Sequence, residues 1–174
     1  MSECVYNVLF LCTGNSARSI LAEALLERIG PPRFRGFSAG SHPKRAPHPM
    51  ALETLATRGY ETADRRSKSW DDFTRPGAPR LDFVLTLCDI LSDRAADGAS
   101  DHVCPIWSGE PICGHWGLED PAAFEGPPDA MRACFERIYE QLRARIEEFV
   151  KLDPAGATAD EMAALLTRIG ASCP

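Results

Sequence analysis

The chain has 174 residues, 44% of them hydrophobic and 25% charged, enough for one domain with a substantial core. Its net charge of −6 argues against a nucleic-acid groove or a face for anionic membranes, and it repels an anionic substrate at long range, so any oxyanion must be captured by local dipoles and individual cations. No charged-then-apolar leader opens the sequence and no apolar run approaches about 20 residues, which sets the expectation of a soluble, cytoplasmic protein.

Residues 5–11 read as a buried strand with few polar breaks. Residues 16–29 read as a helix, with Ile20, Leu21, Ala24, Leu25 and Ile29 on one apolar face and Gly30-Pro31-Pro32 as its stop. Between these two elements lies Cys12-Thr13-Gly14-Asn15-Ser16-Ala17-Arg18-Ser19. A cysteine and an arginine separated by five residues, bent around a glycine at a strand-to-helix turn, form a cradle for a tetrahedral oxyanion. Backbone N–H groups of Thr13, Gly14, Asn15, Ser16, Ala17, Arg18 and Ser19 converge there, the helix N-terminus adds partial positive charge, and Arg18 offers a planar fork of donors. Cys12 sits beneath that point, where a thiolate is the nucleophilic form. The same spacing recurs at Cys88 and Arg94, without a glycine between them and without a helix starting at the arginine.

Further along, residues 34–39 read as a second strand, and Pro43, Pro47 and Pro49 mark a loop into a helix over 50–58 that ends at Gly59. Ser67 or Ser69 is suited to cap a short helix carrying Trp70 and Phe73. A third strand is expected over 81–87, a mobile polar segment over 89–102, a fourth strand over 103–107 and a long irregular stretch over 108–128. Met131, Phe135, Ile138, Leu142, Ile146 and Phe149 define a long helix over 129–150, and Thr158-Ala159-Asp160-Glu161 has the form of a capping box opening a last helix to Ile169. Strands alternating with helices imply an α/β fold, a three-layer open sandwich around a central four-stranded parallel sheet, with ligands at the carboxyl ends of the strands.

The seven cysteines are an odd number, which argues against a secreted disulfide scaffold. No two lie two to four residues apart, so the paired-ligand zinc pattern is missing, and His102/Cys104 with Cys113/His115 make only a weak metal reading. No metal site and no tightly bound cofactor are expected; redox or nucleophilic work suits some of these thiols better.

The loop Cys12–Ser19, together with Ala22-Glu23-Ala24, Phe37-Ser38-Ala39-Gly40, Leu85-Thr86-Leu87-Cys88, Val103-Cys104-Pro105 and His115-Trp116-Gly117-Leu118-Glu119-Asp120-Pro121-Ala122, resembles the low-molecular-weight protein tyrosine phosphatase superfamily. Within it the chain is most similar to the arsenate reductases. Phosphatases of the family place ring-gripping tyrosines after Asp-Pro, where this chain has Ala122, Ala123 and Phe124. The resemblance implies a reductase domain over 1–152, and leaves 153–174 as an extension carrying a short helix. It implies Cys12 as nucleophile on arsenate, with phosphate or sulfate as mimics, Arg18 as oxyanion ligand, Ser19 as a donor to the thiolate and Asp120 as general acid. Cys88 and Cys104 match the two relay cysteines, with Cys113 a rival to Cys104. The reductant is an external thiol, thioredoxin or glutathione with glutaredoxin. Some relatives hold potassium near the loop; Asn15, Glu23 and Ser38 fall at matching places, whereas Ser69 stands where a carboxylate is expected. A phosphatase of the same superfamily, and a non-turnover module that docks oxyanions, are the competing readings.

Overall fold

The computed structural model describes residues 4–89 and 105–172. Four strands, β1 (Tyr6–Cys12), β2 (Phe34–Gly40), β3 (Phe83–Thr86) and β4 (Ile112–His115), form one sheet in the order β2-β1-β3-β4, and every pairing is parallel. Among the described residues four α-helices accompany them: α1 (Arg18–Ile29), α2 (Pro49–Ala56), α3 (Pro128–Phe149) and α4 (Ala159–Ala171). The chain thus has the α/β class and the four-stranded parallel sheet read from its alternating pattern.

β1 is central and buried on both faces, and successive side chains alternate between two cores. Val8 and Phe10 join the larger core, against α1, α2, α3 and α4. Leu9 and Leu11 join the smaller one, where Trp70 and Phe73 of a short 3-10 turn (Trp70–Phe73) pack with Trp107. The long helix behaves as its repeat predicts: Phe135, Ile138, Leu142, Ile146 and Phe149 are all fully buried in the larger core. Phe149 is the hub there, with its ring 4.9 Å from Phe34, 5.3 Å from Phe83 and 5.9 Å from Trp116.

The fourth strand differs from the sequence expectation. Residues 103–104 lie outside the described part, and 105–107 are not in the sheet: Ile106 is 95% exposed and Trp107 turns into the smaller core against Trp70. The strand is Ile112–His115, inside the stretch expected to be irregular. It carries one large aliphatic residue and a glycine, so it lacks the apolar run that marks a buried strand. Gly114 is there for close packing: a Cβ would come 2.9 Å from Leu85 Cδ2 and 3.0 Å from Leu166 Cβ. Two further ends shift. α1 begins at Arg18, leaving Ser16 and Ala17 in the loop, and β3 is confined to four residues.

Leu166 belongs to α4, whose Met162, Leu166 and Ile169 enter the larger core. Trp116, fully buried just after β4, donates its indole N–H to Leu166 O at 3.0 Å. α4 therefore covers the β4 edge, and its N-terminus is fixed by the capping box that the sequence advertises. Among the described residues no helix is long and apolar enough to cross a membrane. Leu166→Ala removes a side chain from a closed contact between helix and strand and is expected to destabilise the protein by about 2–5 kcal/mol. Urea unfolding checks this; a change within about 0.5 kcal/mol would mean that α4 is not part of the cooperative unit.

Candidate active site

The carboxyl ends of β1 and β3 and the segment after β4 meet around a cavity of about 610 Å³, whose lining includes Cys12, Arg18, Lys44, Cys88 and Asp120. The loop between β1 and α1 forms its floor. A turn that presents N–H groups to one point must turn its carbonyls elsewhere, and each of these is accepted for from behind. His42 N–H donates to Thr13 O (2.9 Å), Lys44 N–H to Gly14 O (2.8 Å) and His48 N–H to Ser16 O (2.8 Å). The Ser67 hydroxyl donates to Asn15 O (2.7 Å), and Leu21 N–H to Ala17 O (3.0 Å). Ala17, the residue before α1, offers no capping side chain, so the first N–H groups of the helix are not satisfied by a cap of its own. Gly40 lets β2 pass directly under the loop, since a Cβ there would lie 2.5 Å from Thr13 O.

Asn15 adopts φ 42°, a left-handed conformation that asparagine tolerates better than most residues. Its amide orientation is fixed by chemistry: Lys68 N–H donates to Asn15 Oδ1 at 2.7 Å, so the Nδ2 group faces Ser19 Oγ at 2.8 Å. Ser19 accepts that bond, and its hydroxyl hydrogen is left for Cys12 Sγ at 2.9 Å. Cys12, Asn15 and Ser19 are all buried.

Arg18 is 7% exposed. Its Nη1 donates to Leu118 O (2.8 Å) and more distantly to Leu87 O (3.4 Å), and its Nη2 pairs with Asp120 Oδ2 at 3.3 Å. Its Nε is buried with no hydrogen-bond partner, an orphan donor of a kind that native proteins rarely leave without a reason. Asp120 caps a 3-10 turn (Pro121–Ala123) by accepting from Ala122 N–H, and its side chain is 42% exposed at the cavity mouth. The neighbouring Glu119 is instead paired with Arg137 at the surface.

Cys88 follows β3, is buried, and lies with its Sγ 3.5 Å from Thr13 Oγ1. The structure therefore brings Cys12, Arg18, Cys88 and Asp120 together. Cys104 lies outside the described residues, as do residues 90–102 of the segment expected to be mobile. Cys113 is exposed on β4, away from the cavity lining. Among the described residues no group of three or more His, Cys, Asp and Glu side chains is placed to hold a metal ion.

The oxygens that the resemblance associates with potassium already have partners within the protein. The Ser38 hydroxyl donates to Glu23 Oε2 at 2.7 Å, and the Lys68 ammonium lies 3.4 Å from Glu23 Oε2 and 3.3 Å from Ser38 Oγ. Ser69 Oγ caps the Trp70–Phe73 turn. Burial pushes the Glu23 carboxyl up, against the opposing pull of Lys68, Ser38 and Arg65. As it stands, this donor set does not fit a bare cation.

Sequence reasoning missed the residues that hold the loop from outside. Ser67 was paired with Ser69 as a possible helix cap; Ser69 takes that role and Ser67 takes the loop carbonyl. The available signal was the polar cluster Ser67-Lys68-Ser69 ahead of a short apolar turn, which says nothing about a partner some fifty residues away. His48 also holds the loop: it caps α2 through Nδ1, stacks on Phe135 at 4.9 Å and donates its backbone N–H to Ser16 O.

The sequence matches the family described as low molecular weight phosphotyrosine protein phosphatase over residues 7–159, and the chain belongs to that family. Among its relatives is the arsenate reductase of Shouchella clausii, 30% identical over 144 residues, which are 83% of this chain and 94% of that protein. Among solved structures, the thioredoxin-dependent arsenate reductase of Corynebacterium glutamicum aligns with a TM-score of 0.59 and 28% identity over 87% of this chain, which spans 63% of that one. An arsenate reductase in a phosphate-binding state aligns with a TM-score of 0.63 and 25% identity, over 84% of this chain and 98% of that one.

Burial and the nearby Lys44 push the His48 imidazole below its ordinary value of 6.5, against the pull of Asp120. The unfolded chain therefore takes up this proton before the folded one as the pH falls. His48 contributes stability above about pH 6.5 that is lost as the pH drops below it. The melting temperature is expected to fall more steeply between about pH 7 and about pH 5.5 in the wild type than in His48→Asn, which keeps a capping side chain. Parallel profiles would contradict this role.

Proposed function

We propose that this protein reduces arsenate to arsenite by a thiol mechanism, with Cys12 as the nucleophile and Cys88 as the thiol that resolves the adduct. The observation that carries the reading is a second buried thiol, Cys88, in the wall of the same cavity as Cys12 and against Thr13 of the oxyanion loop. A phosphatase needs one thiol there; a reductase needs a second to supply the remaining electrons. The family relationship and the arsenate reductase relatives support it.

Arsenate is held by the loop N–H groups and by Arg18, whose Nε gains the partner it lacks. The Cys12 thiolate attacks arsenic, with the Ser19 hydroxyl donating to the sulfur beforehand. An As–O bond breaks, and Asp120 supplies the proton with which that oxygen leaves as water. Cys88 then attacks Cys12 Sγ as a thiolate. The electron pair of the S–As bond passes to arsenic, arsenic goes from As(V) to As(III), arsenite leaves, and a Cys12–Cys88 disulfide remains. An external dithiol of the thioredoxin kind restores both thiols by exchange, with Cys104 as the intermediary that carries the disulfide outward. A glutathione and glutaredoxin route would instead resolve the adduct without Cys88.

Asp89, Glu119 and Asp120 also line the cavity, so the attraction that offsets a net charge of −6 has to come from close range, from Arg18, Lys44 and the N–H groups of the loop. After Asp120 come Ala122, Ala123 and Phe124 in place of ring-gripping tyrosines, which favours a small inorganic oxyanion over a phosphotyrosine side chain.

The test is arsenite formation by the reduced protein with thioredoxin and its reductase, compared with glutathione and glutaredoxin. Cys12→Ser abolishes turnover with either, and Cys88→Ser abolishes it with thioredoxin, whereas Cys113→Ser leaves it intact. Ser19→Ala lowers kcat about 10- to 100-fold, the equivalent of one hydrogen bond to a charged sulfur. Cys12-dependent hydrolysis of an aryl phosphate with no arsenite from either system would overturn the reading in favour of a phosphatase.

A further inference from the structure

The chain has only three lysines, and one of them is placed inside a polar pocket behind the oxyanion loop. The Lys68 ammonium donates to three oxygens of different kinds: a carboxylate (Glu23 Oε2, 3.4 Å), a hydroxyl (Ser38 Oγ, 3.3 Å) and a carbonyl (Arg66 O, 3.1 Å). These oxygens come from α1, β2 and the segment after α2, and with the ammonium among them they leave no room for a separate cation. Glu23 and Ser38 are both buried. Arg65 Nη1 lies on the far side of the same carboxylate at 3.8 Å, but its closer partner is Glu27.

The same residue reaches the catalytic loop through its backbone. Lys68 N–H donates to Asn15 Oδ1 at 2.7 Å, and Lys68 O accepts from Gly40 N–H at 2.9 Å. Fixing Lys68 therefore fixes the Asn15 amide, which orients the Ser19 hydroxyl toward Cys12. A buried carboxylate at the base of this chain needs a cation beside it, and that cation is already covalently part of the protein.

We propose that Lys68 is the resident cation of this pocket: its ammonium takes the Glu23, Ser38 and Arg66 oxygens for itself, positions Asn15 and thereby Ser19, and makes the reaction independent of potassium. Lys68 is a positioning residue, not a catalytic one. The inference rests on the reductase reading only for its activity readout.

The test uses the full-length protein in potassium, sodium and methylammonium chloride at constant ionic strength, with three readouts: arsenite formation, the rate of Cys12 alkylation by iodoacetamide, and melting temperature. The wild type should give the same values in potassium and sodium. Lys68→Ala opens the pocket; in sodium its Cys12 alkylation and turnover should fall about tenfold, the scale of an outer-shell loss, and potassium or methylammonium should restore them and raise its melting temperature. Lys68→Met keeps an apolar stem in the pocket, so it should be impaired without cation rescue, which separates refilling of the pocket from a general salt effect. A wild type activated several-fold by potassium overturns the proposal without any variant. So does a Lys68→Ala protein that matches the wild type in sodium, or one that no cation restores. If no arsenite forms under any condition, alkylation and melting still decide the role of Lys68, while the reductase reading fails separately.

Discussion

The structure depends on one constraint: a loop can present a row of N–H groups to an anion only if its carbonyls are satisfied elsewhere. Here Thr13, Gly14, Asn15 and Ser16 pass their carbonyls to His42, Lys44, Ser67 and His48 in turn. The sheet makes this possible by bringing β2, and the chain that leaves it, alongside the end of β1, and Gly40 lets the two backbones come close enough. What remains at the cavity floor is a cup of amides, completed by the uncapped start of α1 and by Arg18 in the cavity lining. Local preorganisation of this kind is what the proposed oxyanion binding needs in a protein whose overall charge is −6.

Two thiols share this cup in different settings. Cys12 receives the Ser19 hydroxyl, aligned through Asn15 by a residue some fifty positions away. Cys88 leaves the adjacent strand and stands against Thr13, and no comparable network reaches it among the described residues. This asymmetry suits a sequence of two attacks. In the proposed reaction the first thiol meets the oxyanion and the second meets the first.

Much of this was legible in the chain. The strand–turn–helix context of Cys12 to Ser19 located the loop, the helical repeat located α3, and the Thr158–Glu161 capping box located α4. These signals are local, and the physics that produces them is local too. What was not legible depends on partners distant in sequence. Ile112–His115 looks irregular because Gly114 breaks its apolar pattern, yet that glycine is what lets Leu85 and Leu166 close over it. Ser67, Lys68 and His48 read as loop polarity, and only the fold turns them toward the active-site loop. The packing of α4 on Trp116 was invisible for the same reason, and the family match itself ends at residue 159, where that helix begins.

The most direct measurement is a single turnover without external reductant: fully reduced protein is mixed with excess arsenate, arsenite is quantified, and the products are mapped by peptide mass spectrometry. A two-thiol site predicts a single equivalent of arsenite per chain, with a disulfide that begins at Cys12 and Cys88 and is passed to Cys104 if that thiol is the outward carrier. An arsenic adduct that stays on Cys12 until a small thiol is added, or arsenite release with Cys88 remaining reduced and alkylatable throughout, would contradict it.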